Sequence, residues 1–183
     1  MRALGLDPVH DTRDTFRALC DAMSRPGTVQ QTPMTPADHA VAATLVDHEV
    51  STYTDDDDLR EQLSSQGRLT ESQPSEADIV HTHGVPSWDV GELVRGSLVE
   101  PSDGATAIYR VESLSTRPED GLTTIIVSGP GVPDTRTASL GLPAEEIDAI
   151  AAAQSTYPRG VDIIFTAADQ VVSIPRSVSM EVV

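Results

Sequence analysis

The chain has 183 residues, with 38% apolar side chains and few aromatics: two Phe, one Trp and three Tyr. That is enough for one domain with a real core, expected over 1–183, and no apolar run reaches the ~18 residues needed to span a membrane. The formal net charge is −17, and every one of the 12 basic residues is Arg. A lysine-free, strongly acidic surface excludes a large nucleic-acid backbone interface, and the missing amine excludes an internal Schiff base with pyridoxal phosphate.

A single cysteine excludes an internal disulfide and a Cys-based zinc site. The N-terminus, Met1 to Pro8, has no apolar segment long enough for a secretory leader, so a soluble, cytoplasmic protein is expected. The acids are spread along the chain, and only Asp55 to Asp58 forms a block, which reads as a solvated loop. Such a surface fits a protein adapted to concentrated salt, where self-repulsion is screened.

Residues 1–10 read as an arm. From about Asp11 a helix is expected, capped by Asp11 or Thr12, with Phe16, Leu19, Cys20 and Met23 on one apolar face and a stop at Arg25-Pro26-Gly27. Cys20 then reads as a small core residue. Thr28–Thr32 fits a short strand. A second helix opens at Thr35-Pro36, with Thr35 as cap and Ala40, Val41, Thr44 and Leu45 inward. Val50–Tyr53 is a strand, Leu59–Leu63 a short helix, and Ser64–Ser75 a loop. Ala77–Thr82 is extended, and Trp88–Val94 reads as a short helix capped by Ser87.

Beyond a turn at Glu100–Gly104, Ala105–Val111 alternates as a strand, and Leu122–Ser128 forms another. Leu142–Ala153 is the clearest helix, with Glu145 and Glu146 near its positive end and Ile147 and Ile150 inward. The final segment is expected as a hairpin: Val161–Phe165, a turn at Ala167–Gln170, and Val171–Ile174 up to Pro175. Together these elements predict a mixed α/β domain, one mixed sheet with flanking helices.

Ser128-Gly129-Pro130-Gly131 follows a strand, but no Gly-Lys-Ser/Thr ending is present, so it reads as a turn and not a phosphate loop. His81 and His83 are two apart, which on a strand aims both at one face and permits a shared metal, with Asp78 or His48 as a third ligand. Solvated histidines are the simpler reading of that pair, and no metal, cofactor-binding or catalytic residue is assigned. Arg17, Arg25, Arg159 and Arg176 each sit on the first helix or beside a Pro or Gly turn, and are candidates for a partner interface or for surface ion pairs.

Phe16-Arg17-Ala18-Leu19, Ala22 to Gly27, Glu100-Pro101 with Gly104-Ala105-Thr106, Ser128 to Gly131, Tyr157 to Asp162 and Ile174-Pro175-Arg176 resemble, in order, the PhnH subunits of carbon–phosphorus lyase. That resemblance implies a fold similar to pyridoxal-phosphate-dependent transferases without their cofactor site. It implies a non-catalytic or accessory subunit working with PhnG, PhnI, PhnJ and PhnL, either as a homodimer or paired with PhnJ. The assembly displaces adenine from ATP with a phosphonate before the carbon–phosphorus bond is broken. No catalytic residue carries over, and no cofactor is expected. Two other classes stay open: a free-standing metal-dependent hydrolase using His81 and His83, and an acidic ligand-binding module.

Overall fold

The computed structural model describes residues 5–183. The part of the expected N-terminal arm at residues 1–4 lies outside the described residues; from there, Leu6 is buried against Ala40 and Ala43. In place of one sheet there are two, a correction to the expected single mixed sheet. The larger has the order β1-β10-β9-β5-β4-β2-β3. Its strands are β1 Gln30–Gln31, β2 Ser51–Thr54, β3 Thr70–Glu71, β4 Ile79–His83, β5 Thr106–Arg110, β9 Asp162–Ala167 and β10 Gln170–Ile174. Its centre (β2, β4, β5, β9) is parallel, and the expected hairpin, β9 with β10, turns the sheet antiparallel at one side. The smaller sheet is antiparallel, in the order β11-β7-β8-β6, from β6 Leu114–Ser115, β7 Thr123–Gly129, β8 Val132–Leu140 and β11 Ser179–Val182.

Four α-helices cover the larger sheet among the described residues: α1 His10–Ser24, α2 Ala37–Leu45, α3 Asp57–Ser65 and α4 Ala144–Gln154. Parallel strands need crossovers, so both faces of this sheet are buried and its strands read as continuous apolar runs. On one face Ala18 and Leu19 of α1, Val41 and Ala42 of α2, and Leu59 and Leu63 of α3 pack on Ile79, Ile108, Ile164 and Val171. On the other, Val80, Ala107, Tyr109, Ile163, Phe165 and Val172 meet Ile147 and Ile150 of α4 and Ile125, Val127, Ala138 and Leu140 of the smaller sheet. Three strands of the second sheet, β6 to β8, are inserted between β5 and β9, the C-terminal β11 joins them beside β7, and with α4 they form a cover.

Several local expectations change, among them the Thr35 cap, since Pro36 precedes α2 with no side-chain cap, and the Ser64–Ser75 loop, which contains β3. The buried side of α1 is Thr15, Ala18, Leu19 and Ala22, whereas Phe16 and Cys20 are exposed. Small residues let α1 approach α2 and β10 closely, and this outweighs the hydrophobicity of Phe16; the reading of Cys20 as a core residue is corrected. The side chain that takes up N–H groups at the start of α1 is that of Asp7, not of Asp11 or Thr12. Asp7 Oδ1 accepts from the N–H of Val9 and His10, while Asp11 Oδ2 accepts from the N–H of Asp7 at 2.8 Å. Trp88–Val94 holds only a 3-10 turn at Val90–Glu92, with Asp89 instead of Ser87 accepting from Gly91 N–H at 2.7 Å.

Two internal knots hold the frame. Arg176, just past β10, meets Asp162 at the start of β9: Nε donates to Oδ2 at 3.0 Å, Nη2 to Oδ2 at 2.6 Å, and its own N–H to Oδ1 at 2.8 Å. Nη1 also donates to the carbonyl of Pro101 (2.6 Å) and Nη2 to that of Gly104 (3.0 Å). A Cβ at Gly104 would stand 2.1 Å from Arg176 Nη1, so this position has no room for a side chain. In the second knot Arg136 Nη1 donates to Pro26 O, and Gly131, with φ of +80°, places its α-carbon where a Cβ would lie 2.5 Å from Ser24 O.

Candidate functional site

In open α/β sheets the crevice at the carboxyl ends of parallel strands is the usual ligand position, because crossover loops diverge there. Here that edge collects Thr54 from β2, His81 and His83 from β4 and Arg110 from β5. Register pairs Thr54 with His81 and His83 with Arg110. Strand alternation turns these side chains toward the helix face that also buries Ile79 and Ile108. Helix α2 enters above them. Its first N–H, at Ala37, donates to Ala168 O in the β9–β10 turn at 2.7 Å, which sets Asp38 directly over the strand ends.

Asp38 is 1% exposed, a burial that a carboxylate tolerates only with partners. Its Oδ2 accepts from His81 Nε2 at 3.1 Å. His83 Nε2 stands 3.6 Å from the same oxygen, Arg110 Nη1 3.7 Å and His39 Nε2 3.9 Å. Burial pushes the Asp38 carboxyl up, but the hydrogen bond from His81 and the charges of His81, His39 and Arg110 outweigh it and hold the group below its ordinary range.

The Asp55–Asp58 block, expected as a solvated loop, builds the second wall. Asp55 Oδ2 accepts from Thr82 Oγ1 at 2.6 Å and Oδ1 from the His83 N–H at 3.2 Å. Asp56 is the N-cap of α3, accepting from Leu59 N–H at 2.9 Å through Oδ1. Its other oxygen faces the cluster, 2.9 Å from His39 Nε2 and 3.1 Å from His83 Nε2. Burial raises the Asp56 carboxyl, yet the His39 and Leu59 hydrogen bonds and the His39 and His83 charges bring it down to about 2. Asp57 and Asp58 lie in the first turn of α3, where the helix dipole favours them.

His81 and His83 do share a face, as their spacing predicts, but His81 is fully buried and not solvated. The proposed third ligands are elsewhere: Asp78 accepts from Ser51 Oγ at 2.7 Å, and His48 precedes the amino end of β2. The residues brought to the pair are Asp38, His39 and Asp56, none of which sequence reasoning selected. The Asp38-His39 pair at a helix start was the available signal, hidden because the α2 face was read from its apolar residues. Beside the cluster a cleft of about 610 Å³ opens, lined by His83, Arg110, Glu112, Leu142 and Ala168 among others.

The candidate interface arginines separate. Arg17 and Arg25 lie exposed on α1, near Asp14 (3.7 Å) and Asp21 (2.8 Å), and Arg159 is exposed beside Tyr157. Arg176 is instead enclosed, its side chain 12% exposed within the knot described above. Ser128–Gly131 is the β7–β8 turn, followed by a strand and not by the helix a phosphate loop requires.

The fold and this edge define a mixed α/β protein with a polar histidine–carboxylate cluster at the carboxyl ends of its parallel strands. The family described as bacterial phosphonate metabolism protein (PhnH) matches residues 5–181, and the chain belongs to that family. The PhnH subunit of alpha-D-ribose 1-methylphosphonate 5-triphosphate synthase from Rhizobium meliloti (strain 1021) is 28% identical over 197 residues, covering 96% of this chain and 92% of that protein.

Proposed function

We propose that this chain is an accessory subunit of a phosphonate-degrading assembly, and that it works by presenting a surface to the subunits PhnG, PhnI and PhnJ. In this reading the assembly carries out the exchange of adenine in ATP for a phosphonate, and the chain supplies no independent active site. It acts as one domain in the cytoplasm, a homodimer when alone, on a frame related to pyridoxal-phosphate-dependent transferases that has lost their lysine. No helix among the described residues is long and apolar enough to cross a membrane.

The observation that carries the reading is the outer face of α1. Phe16, 54% exposed, lies with Leu19, Cys20, Met23 and Leu45 around an apolar hollow of about 220 Å³, and Arg17 follows Phe16 on α1 while Arg25 stands exposed at the helix end. Aromatic and arginine anchors around a small apolar pocket are what interfaces concentrate. Arg176, held in its knot, takes no part in this reading.

Co-expression of the subunits with Phe16→Ala and Arg25→Ala should weaken assembly by about 1–3 kcal/mol per anchor while leaving the fold intact. Cys20, exposed on that face, should react with a thiol reagent in the free native chain and be protected in the assembly. Unchanged co-purification together with unprotected Cys20 would remove α1 as the contact. Turnover of a phosphonate and ATP by the chain alone would overturn the accessory role itself.

A further inference from the structure

We propose that Asp38, His81 and His83 form a binding site for one divalent transition-metal ion of the zinc class, with Asp56 beside it. Neutral imidazole nitrogen and carboxylate oxygen are the ligands such ions take. The ligand atoms of Asp38, His81 and His83 lie within 4.8 Å of one another. A tetrahedral ion with bonds near 2.0–2.1 Å separates its ligands by roughly 3.3 Å. The spacings of Asp38 Oδ2 to His81 and His83 are 3.1 and 3.6 Å, and of Asp56 Oδ2 to His83 3.1 Å, on both sides of that edge length.

The groups converge more than hydrogen bonding among themselves requires. One oxygen, Asp38 Oδ2, is the focus of four donors, and only His81 is within hydrogen-bond distance. Two carboxylates with Arg110 as the one permanent cation leave the cluster net negative when its imidazoles are neutral, and a dication offsets that charge.

The outer partners are those of a metal site. His81 Nδ1 is held by Thr54 Oγ1 at 2.7 Å, an oxygen that also accepts from Asp56 N–H at 3.1 Å. Holding Nδ1 in this way fixes the ring and frees Nε2 as the ligand atom. Leu59 N–H occupies Asp56 Oδ1 and leaves Oδ2 inward, Asp55 pins the backbone of His83, and His39 steadies Asp56 from the other side. The ion would tie α2 to β4 beside the open cleft that His83 lines.

The test uses the full chain without an affinity tag, stripped by chelator and titrated with Co²⁺ and then Zn²⁺. Uptake of one equivalent is expected, with a visible Co²⁺ spectrum of a low-coordinate nitrogen–oxygen site that Zn²⁺ abolishes, and a melting temperature raised by Zn²⁺. His83 is 42% exposed, so His83→Ala should fold, and it should bind at least about tenfold more weakly, as should His83→Gln. His48→Ala, before the amino end of β2, should bind as the native chain does. Absence of uptake at micromolar metal, binding as tight as the native chain's in both His83 variants, or loss of binding in His48→Ala would each overturn the site.

Discussion

Tyr109 and Glu146 show how a single buried contact makes stability depend on pH. Tyr109 is fully buried, and its hydroxyl donates to Glu146 Oε1 at 2.8 Å across the gap between β5 and α4. Burial pushes the Glu146 carboxyl up, its hydrogen bond from Tyr109 pulls it down, and the nearby Asp89 charge raises it; the result lies above the ordinary 4.5. A raised acid favours the folded state while protonated, so its contribution is complete below the unfolded value and is lost as pH rises through the folded one. Glu146→Gln stays neutral, and its stability relative to the native chain should therefore increase as pH rises across that window. Denaturant midpoints of both proteins, measured from below pH 4.5 upward, check this; a constant difference would contradict it. Nothing in the helical spacing announced the contact. Glu146 was legible as a first-turn acid, but its partner comes from a strand 37 positions earlier.

At the scale of elements, the most informative segments were the short motifs around glycine, proline and arginine, and the structure explains why. Glu100 to Thr106, Tyr157 to Asp162 and Ile174 to Arg176 meet at the Arg176 knot, while Ala22 to Gly27 and Ser128 to Gly131 meet at the Arg136 knot. Replacing Arg176 by Ala would leave Asp162 partly buried without its cation, and should cost about 3 kcal/mol. Gly104→Ala should cost a comparable amount, since its Cβ displaces the same guanidinium. The two changes combined should cost less than their sum, which a double-mutant cycle by denaturant titration would read. Full additivity would mean that the glycine acts independently of Arg176. The β9–β10 hairpin, α4 and β5 were readable from apolar runs and spacing. Strands β8 and β11 were not, because Val132–Leu140 is rich in polar residues and Ser179–Val182 is short and lies on a sheet edge. The histidine–carboxylate cluster was half legible: strand period aligned His81 with His83, but only tertiary packing brings Asp38 and Asp56 to them.

Over the whole molecule the dominant quantity is the charge of −17 with no lysine. Acids that bind histidine, cap helices or meet arginine have local compensation, but most of the remainder lie on the surface, where their mutual repulsion opposes the compact state. Raising salt shortens the range of that repulsion from about 10 Å at 0.1 M to about 3 Å at 1 M. The melting temperature should accordingly rise clearly between dilute buffer and molar sodium chloride, and a flat response would contradict the expectation that the charge suits concentrated salt. The charge leaves no mark on topology, since it resides in exposed side chains that do not alter strand order.

The pairing of β1 with β10 has a consequence for the birth of the protein. Gln30 lies opposite Val171, so the strand that follows α1 can find its neighbour only after some 140 further residues have been made. Throughout that interval the underside of α1, with Ala18, Leu19 and Ala22, has no β10 to cover it. Closing so long a loop is slow, and an amphipathic segment left waiting is open to wrong partners. A nascent chain of this topology is thus an early customer for chaperones, and its native state is sealed by its last hairpin.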